Sequence, residues 1–330
     1  MHYRYLLVAA TITFACLHSH AQSYKSNQPL AHTFSIVARD EKTGELAVGV
    51  QSHWFSVGTA VSWAEAGTGA VATQSFVNKS FGPRGLQLLK RGLSAQQTLD
   101  SLLSDDEARE VRQLAIVDNS GNVAVHTGKN CIQYAAHISG SQFSVQSNMM
   151  LTDKVNKSMA DAFTKSAGKP LAERVLLSLE AAQKAGGDIR GKQSAALLVV
   201  PARSEGKPWD ERTVDLRVDD AAQPLQELRR LLTVHTAYQH MNNGDLAIEK
   251  NDMDMAMREY SAAMKLMPAN LEMQYWTAVT LANNKQLEKA IPIFKKVFAG
   301  DKNWKELTRR LPPVNLLTVS DADLKKILSL

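Results

Sequence analysis

AHTFSIVARDEKTGELAVGVQSHW, residues 31–54, is the stretch on which the fold turns. Two β-rich runs, TFSIVARD and ELAVGVQS, flank Glu41-Lys42-Thr43-Gly44, a turn-prone tetrad, so the segment reads as a hairpin. Thr33 heads its first strand. A threonine there is either one β-branched strand residue among many or, if the chain were cut before it, a nucleophile. A threonine hydroxyl needs a base beside it, and at a chain start its own α-amine, with an ordinary pKa near 8, can serve.

Working outward, GAVATQSF (69–76) is a third strand, followed by helices over about 83–91 and 94–103. Ser94 and Gln97 stand in the reciprocal positions of a capping box. A second hairpin joins VRQLAIVD to VAVHTG through Asn119-Ser120-Gly121-Asn122, and FSVQSNMM continues the β pattern. Amphipathic helices over 152–165 and 170–184 end at Gly186-Gly187. SAALLVV and TVDLRVDD close the strand set, and PLQELRRLL opens a helical remainder. Strands alternating with helix pairs predict an α+β fold, two stacked sheets with helices on both outer faces.

From about Ala237 the strand pattern ends. Ala256 aligns with Ala290 and Tyr260 with Phe294 at a 34-residue offset, with Gly244 upstream and Pro268 after the first unit. Period and residue classes are those of tetratricopeptide repeats, expected over 237–270 and 271–304, with Trp304, Leu307 and Leu311 in a capping segment. The methionines at 253, 255, 257, 264 and 267 read as core and groove filling.

The 330 residues, 44% hydrophobic and 22% charged with net charge +5, suit a soluble globular chain. No Lys/Arg block or basic-aromatic run argues for nucleic acid, and no glycine-rich phosphate loop or other cofactor motif occurs. Arg4 before the apolar run Leu6–Leu17, then Ser19-His20-Ala21, predicts a signal peptide over 1–21 and export to the periplasm or exterior. A lipid anchor at Cys16 fits worse, because Thr13 and Phe14 make a poor lipobox. Residues 22–32 then form a flexible lead-in or propeptide, and Cys131 is left without a disulfide partner.

TFSIVARDEKTGELAVGVQS, VSWAEAGTGAVATQSFVNKSFGPRGLQLL, HTGKNCIQYAAH, VQSNMM, AGGDIRGKQSAALLVV and VDLRVDD, in this order, resemble the domain-of-unknown-function family 1028 over about 33–232. That family is Ntn-hydrolase-like. The resemblance implies a four-layer αββα sandwich and, in active members, an N-terminal Thr, Ser or Cys nucleophile freed by proteolysis. Here that role falls on Thr33 and requires a cut after His32.

Other candidates stand beside plainer readings. Glu65 lies where proteasome-like Ntn enzymes place a lysine; a carboxylate there raises the amine's pKa, so it would orient the amine or bind a cation, or else form a surface ion pair. Asn78, Gly82 and Arg84 sit at a strand-to-helix turn, where backbone and amide donors suit an oxyanion or a carboxylate, with Asn78 catalytic and Arg84 toward substrate, or the set is an N-cap and turn with an exposed arginine. His126, Cys131 and His137 match no zinc spacing and read as a polar cluster lining a pocket, with no metal. Asp188, Arg190, Gln193 and Ser194 occupy a Gly-rich turn entering a strand, a pocket position or a structural closure. Asp215, Asp219 and Asp220 read as a solvated face.

Two functions follow. One is an exported amidohydrolase acting on a small amide-like substrate. The other is an inert ligand-binding or envelope-assembly protein whose helical repeats dock a protein partner. Sandwiches of this kind often pair as homodimers.

Overall fold

The computed structural model describes residues 30–31 and 33–330. The expected signal peptide and most of the lead-in lie outside them. Leu30–Ala31 of that lead-in form a two-residue strand, β1.

The hairpin forms as read. β2 (Thr33–Arg39) and β3 (Leu46–Ser52) pair antiparallel, with Thr33 opposite Ser52 and Arg39 opposite Leu46. The Asp40 carboxylate accepts from the Lys42 and Thr43 N–H groups, and Gly44 takes the left-handed φ of 73° that closes the turn. β4 (Ser62–Glu65) and β5 (Gly69–Phe76) make a second hairpin. Next come α1 (Phe81–Lys90) and α2 (Ala95–Ser104), the latter opened by the Ser94–Gln97 capping box. β6 (Arg112–Asp118), β7 (Val123–Thr127), β8 (Ala136–Gly140) and β9 (Phe143–Ser147) precede α3 (Val155–Lys165) and α4 (Leu171–Lys184). β10 (Ser194–Val200) and β11 (Val214–Val218) complete the β structure.

Two antiparallel sheets result. One runs β1-β5-β6-β7 with β4 also on β5; the other runs β11-β10-β3-β2-β9-β8. Period-2 alternation splits each strand between two cores. Phe34, Ile36 and Ala38 of β2 join Val175, Leu176 and Leu179 of α4 and Phe163 of α3 on the outer face of the six-stranded sheet. Val37, Val48, Val50, Ala72, Ala115 and Leu198 fill the space between the sheets. Val71, Leu114 and Ile116 meet Leu86, Leu99 and Leu102 of α1 and α2 on the far side. The layers are therefore helices, sheet, sheet, helices. Gly49 shows why one strand position admits no side chain: a Cβ there would stand 2.3 Å from Val175 Cγ1.

The C-terminal part is helical: α5 (Pro224–Glu249), α6 (Met253–Leu266), α7 (Leu271–Asn283), α8 (Leu287–Gly300), α9 (Asn303–Arg310) and α10 (Asp321–Leu328). The expected boundary between 232 and 237 falls inside α5. Leu225, Leu228 and Leu232 pack with the sheet, while Ala237, Met241 and Ala247 pack with Tyr260 of α6. One continuous helix thus belongs to both cores, and no linker separates them. Ala256, Tyr260, Ala290 and Phe294 are fully buried at corresponding places in α6 and α8. Among the described residues no helix is long and apolar enough to cross a membrane.

Candidate functional site

Between the sheets, the aliphatic filling gives way at one end to polar side chains. Thr33, Ser35 and Val37 share the inward face of β2 by alternation, and Ser52 and Ser194 lie inward on β3 and β10 at the same end. From the opposite sheet come Gln74 of β5 and Gln113 of β6, and from β9 and its exit Gln146 and Asn148. All of these are buried. Ser35, the four amides and the Thr33 carbonyl form one network, as buried amides must. Ser35 Oγ donates to Gln74 Oε1 at 2.6 Å and accepts from Gln146 Nε2 at 2.6 Å. Gln74 Nε2 donates to Gln113 Oε1 at 2.7 Å and to the Thr33 carbonyl at 3.2 Å. Asn148 gives its side-chain amide to Gln113 Oε1 at 2.9 Å and its backbone N–H to the same Thr33 carbonyl at 3.1 Å. Gln146 Oε1 is buried without a partner among the described residues.

Thr33 itself is fully buried. Upstream, the backbone of Leu30–Ala31 crosses to the other sheet and pairs with Phe76 and Ser75 of β5. Ser75 and Met149, adjacent to Gln74 and Asn148, both hold positive φ, 71° and 58°, without being glycine. Such strain costs about 1–3 kcal/mol per residue and concentrates at functional sites.

A buried ion pair borders this end. The His53 N–H, one residue beyond Thr33's register partner Ser52, donates to Asp188 Oδ2 at 3.2 Å. Arg190 grips the same carboxylate through Nε at 3.0 Å and its terminal nitrogen at 2.7 Å, and its backbone N–H adds a bond to Oδ1 at 2.9 Å. The Asp188 side chain is wholly enclosed, so this bidentate pairing supplies what burial of a charge demands. Asp188 and Thr33 thus come to one end of the sandwich although 155 positions separate them.

The remaining expected residues divide by location. Ser194 sits opposite Ser52, its hydroxyl donating to the Trp54 carbonyl and accepting from the Val57 N–H, so it ties down the loop after β3. Gln193 bonds the Ser52 carbonyl through its N–H at 3.0 Å, while its side chain reaches Asp220. Asn78 lies just past β5; its Oδ1 accepts from the Ser80 N–H and hydroxyl, which leaves the amide nitrogen as its donor. Arg84 is exposed on α1.

Glu65 is not brought to Thr33. It pairs with Gly69 at the opposite end of β5 from Gln74, about 17 Å away at ~3.4 Å per residue. There it forms an ion pair with Lys90 and lines a groove of about 590 Å³ with Trp63 and Arg217.

His126, Cys131 and His137 gather near the β7–β8 edge. His137 Nδ1 lies 2.9 Å from Thr127 Oγ1, and His126 Nε2 lies 2.9 Å from the Arg109 carbonyl. His137 is exposed on the strand, but partial desolvation of its ring, helped by His126, holds the imidazole below its ordinary pKa. Burial pushes the Cys131 thiol up, so at neutral pH it is a thiol donating to the Arg112 carbonyl at 3.3 Å. No group of three His, Cys, Asp or Glu among the described residues could hold a metal ion.

Ser35, Gln74, Gln113, Gln146 and Asn148 escaped the sequence reading. Their signal was present in ATQSF, VRQLA and SVQSN: an amide inside an apolar β run, at similar depth in three strands. Which face each occupies is set by strand register, which no single run displays.

With this geometry in view, the chain belongs to the family described as a family of unknown function, DUF1028, whose model matches residues 33–228. Among solved structures, protein SPO2555 from Silicibacter pomeroyi, itself of family DUF1028, is 29% identical, with a TM-score of 0.56 over 66% of this chain and 89% of that one. Anbu, an ancestral β-subunit from Yersinia bercovieri, is similar at 12% identity and a TM-score of 0.31 over 60% of this chain and 92% of that one, too distant to carry functional weight. No curated protein matches.

Proposed function

We propose that this is an exported Ntn-type amidohydrolase in which a cut between His32 and Thr33 makes Thr33 the first residue and the nucleophile. The observation that carries the reading is the placement of Thr33, at the start of a central strand, on the inward face, above a buried amide network that holds its carbonyl from two sides. A rigid scaffold of this kind fixes amine and hydroxyl on one residue in a constant relation. The helix-sheet-sheet-helix layering is the one that the resemblance to Ntn-hydrolase-like proteins implies.

In the reaction, Thr33 Oγ1 attacks the amide carbon while its proton passes to the freed α-amine. The carbonyl oxygen takes up the charge against a donor such as the Asn78 amide. The C–N bond breaks as the α-ammonium returns the proton to the departing amine. Water, deprotonated by the same amine, then hydrolyses the threonyl ester. The Asp188–Arg190 pair holds the His53 backbone one residue past Thr33's register partner and so fixes this end of the sheet.

Mass spectrometry of the mature N-terminus tests this. A chain beginning at Thr33, whose hydrolysis of amide substrates disappears in Thr33→Ala with the melting temperature retained, is the expected result. An active product that still carries residues upstream of Thr33 sinks the mechanism.

One observation favours a second reading. In the uncut chain the Leu30–Ala31 strand is anchored on β5, and Thr33 is enclosed. An uncut domain of this kind is an inert recognition module, with α5–α6 and α7–α8 as tetratricopeptide-like pairs that dock a partner.

A further inference from the structure

The two flanks of the sandwich end their sheets differently. On one, the edge strands are charged: β11 holds Asp215 and Arg217, and β4 ends in Glu65, paired with Lys90. On the other, β7 reads VAVHT and β8 reads AHISG, with no Asp, Glu, Lys or Arg in either. The Thr127–His137 contact places these two edges side by side. All five residues of β8 are exposed, and no described strand pairs with its outer side. Solitary edges are ordinarily blunted by charge, proline or a bulge, because their unpaired N–H and C=O groups recruit other strands. β8 carries none of these.

We propose that this flank is a homodimer interface in which β8 pairs antiparallel with β8 of a second copy and joins the two six-stranded sheets. The sequence of the strand selects a second copy as occupant. A two-fold axis through Ile138 sets Ile138 against its own counterpart, His137 against Ser139, and Ala136 against Gly140. Each pair matches in face, since 137 and 139 point toward the other sheet and 136, 138 and 140 away from it. No like charges meet, because the strand's one titratable group, His137, is neutral near pH 7 beside His126. A partner chosen by charge would need an opposing charge that β8 does not offer. Ile132 and Tyr134, exposed on the approach to β8, extend the contact beyond a ladder of about 17 Å toward the ~800 Å² per partner of a stable interface.

Sedimentation of the full secreted chain at micromolar concentration tests this, with Ile138→Lys and Ser139→Pro as edge-blocking variants. A dimeric wild type, with a dissociation constant raised by about 100-fold in each variant, is expected, as for loss of roughly 2.7 kcal/mol of pairing. Asp215→Ala on the charged flank leaves the dimer intact. Because a variant could fail to fold, Ile138→Cys in a Cys131→Ser background adds a positive readout: mild oxidation yields a covalent dimer across the two-fold axis, where facing Cα atoms lie about 4.5–5.5 Å apart. A monomeric wild type, a dimer that survives both edge variants, or an Ile138→Cys chain that does not cross-link overturns the interface.

Discussion

Replacing Gln74 by methionine, similar in length and without an amide, removes the centre of the network beneath Thr33. Four bonds disappear: one accepted from Ser35 and three donated, to the Thr33 carbonyl, Gln113 Oε1 and the Gln146 carbonyl. Three of the partners keep support. The Thr33 carbonyl retains the Asn148 N–H, Gln113 Oε1 retains the Asn148 amide, and Ser35 Oγ still accepts from Gln146. The Ser35 hydroxyl proton, however, is orphaned in a fully buried place. An unsatisfied buried donor costs about 1–3 kcal/mol, and each further lost bond about 0.5–1.5 kcal/mol net. Part of that is offset by the apolar thioether, so the expected loss is about 2–4 kcal/mol. For a unit of this size it lowers the melting temperature by roughly 5–10 °C. Scanning calorimetry reads it directly. Gln96→Met, which breaks a surface bond to Asp100 on α2, serves as a control and moves stability by less than about 0.5 kcal/mol. A Gln74→Met protein as stable as the control would show that the network does not hold this end of the sandwich together.

The other expectations are narrower. Gly244→Ala pushes a Cβ to 2.3 Å from the buried Tyr260 ring, so about 1–3 kcal/mol of overpacking exceeds the gain of ~1 kcal/mol in helix propensity, and denaturant melts show a net loss. His137 and His235 are both held below their ordinary pKa by partial desolvation of their rings, so the unfolded chain binds more protons than the folded one as pH drops below about 6.5. Stability therefore falls with pH from there and levels off below the folded values. His137→Asn flattens that slope; an unchanged slope assigns the acid sensitivity elsewhere.

Much of the local structure was legible because it obeys short-range rules. GAVATQSF and SAALLVV became β5 and β10, the Ser94–Gln97 box opened α2, and the 34-residue offset aligned Ala256 with Ala290. β8 was not legible, since AHISG is short, holds one large apolar residue, Ile138, and forms only as an exposed addition to β9. The extent of α5 was hidden for a different reason. Its leucines and its later alanines serve different cores, so no single periodic face runs along its 26 residues.

Thr33 at a strand start, the charge balance and the helix caps were determined by the sequence itself, because each depends on neighbours a few positions away. The meeting of Gln74, Gln113, Gln146 and Asn148 at the Thr33 carbonyl, the enclosure of Asp188 by Arg190, and the separation of Glu65 from both were decided only by the tertiary structure. Strand register sets which side chains face inward, and sheet stacking sets which of them meet. Both arise from burial summed over the whole sandwich, a quantity that no local run of residues contains.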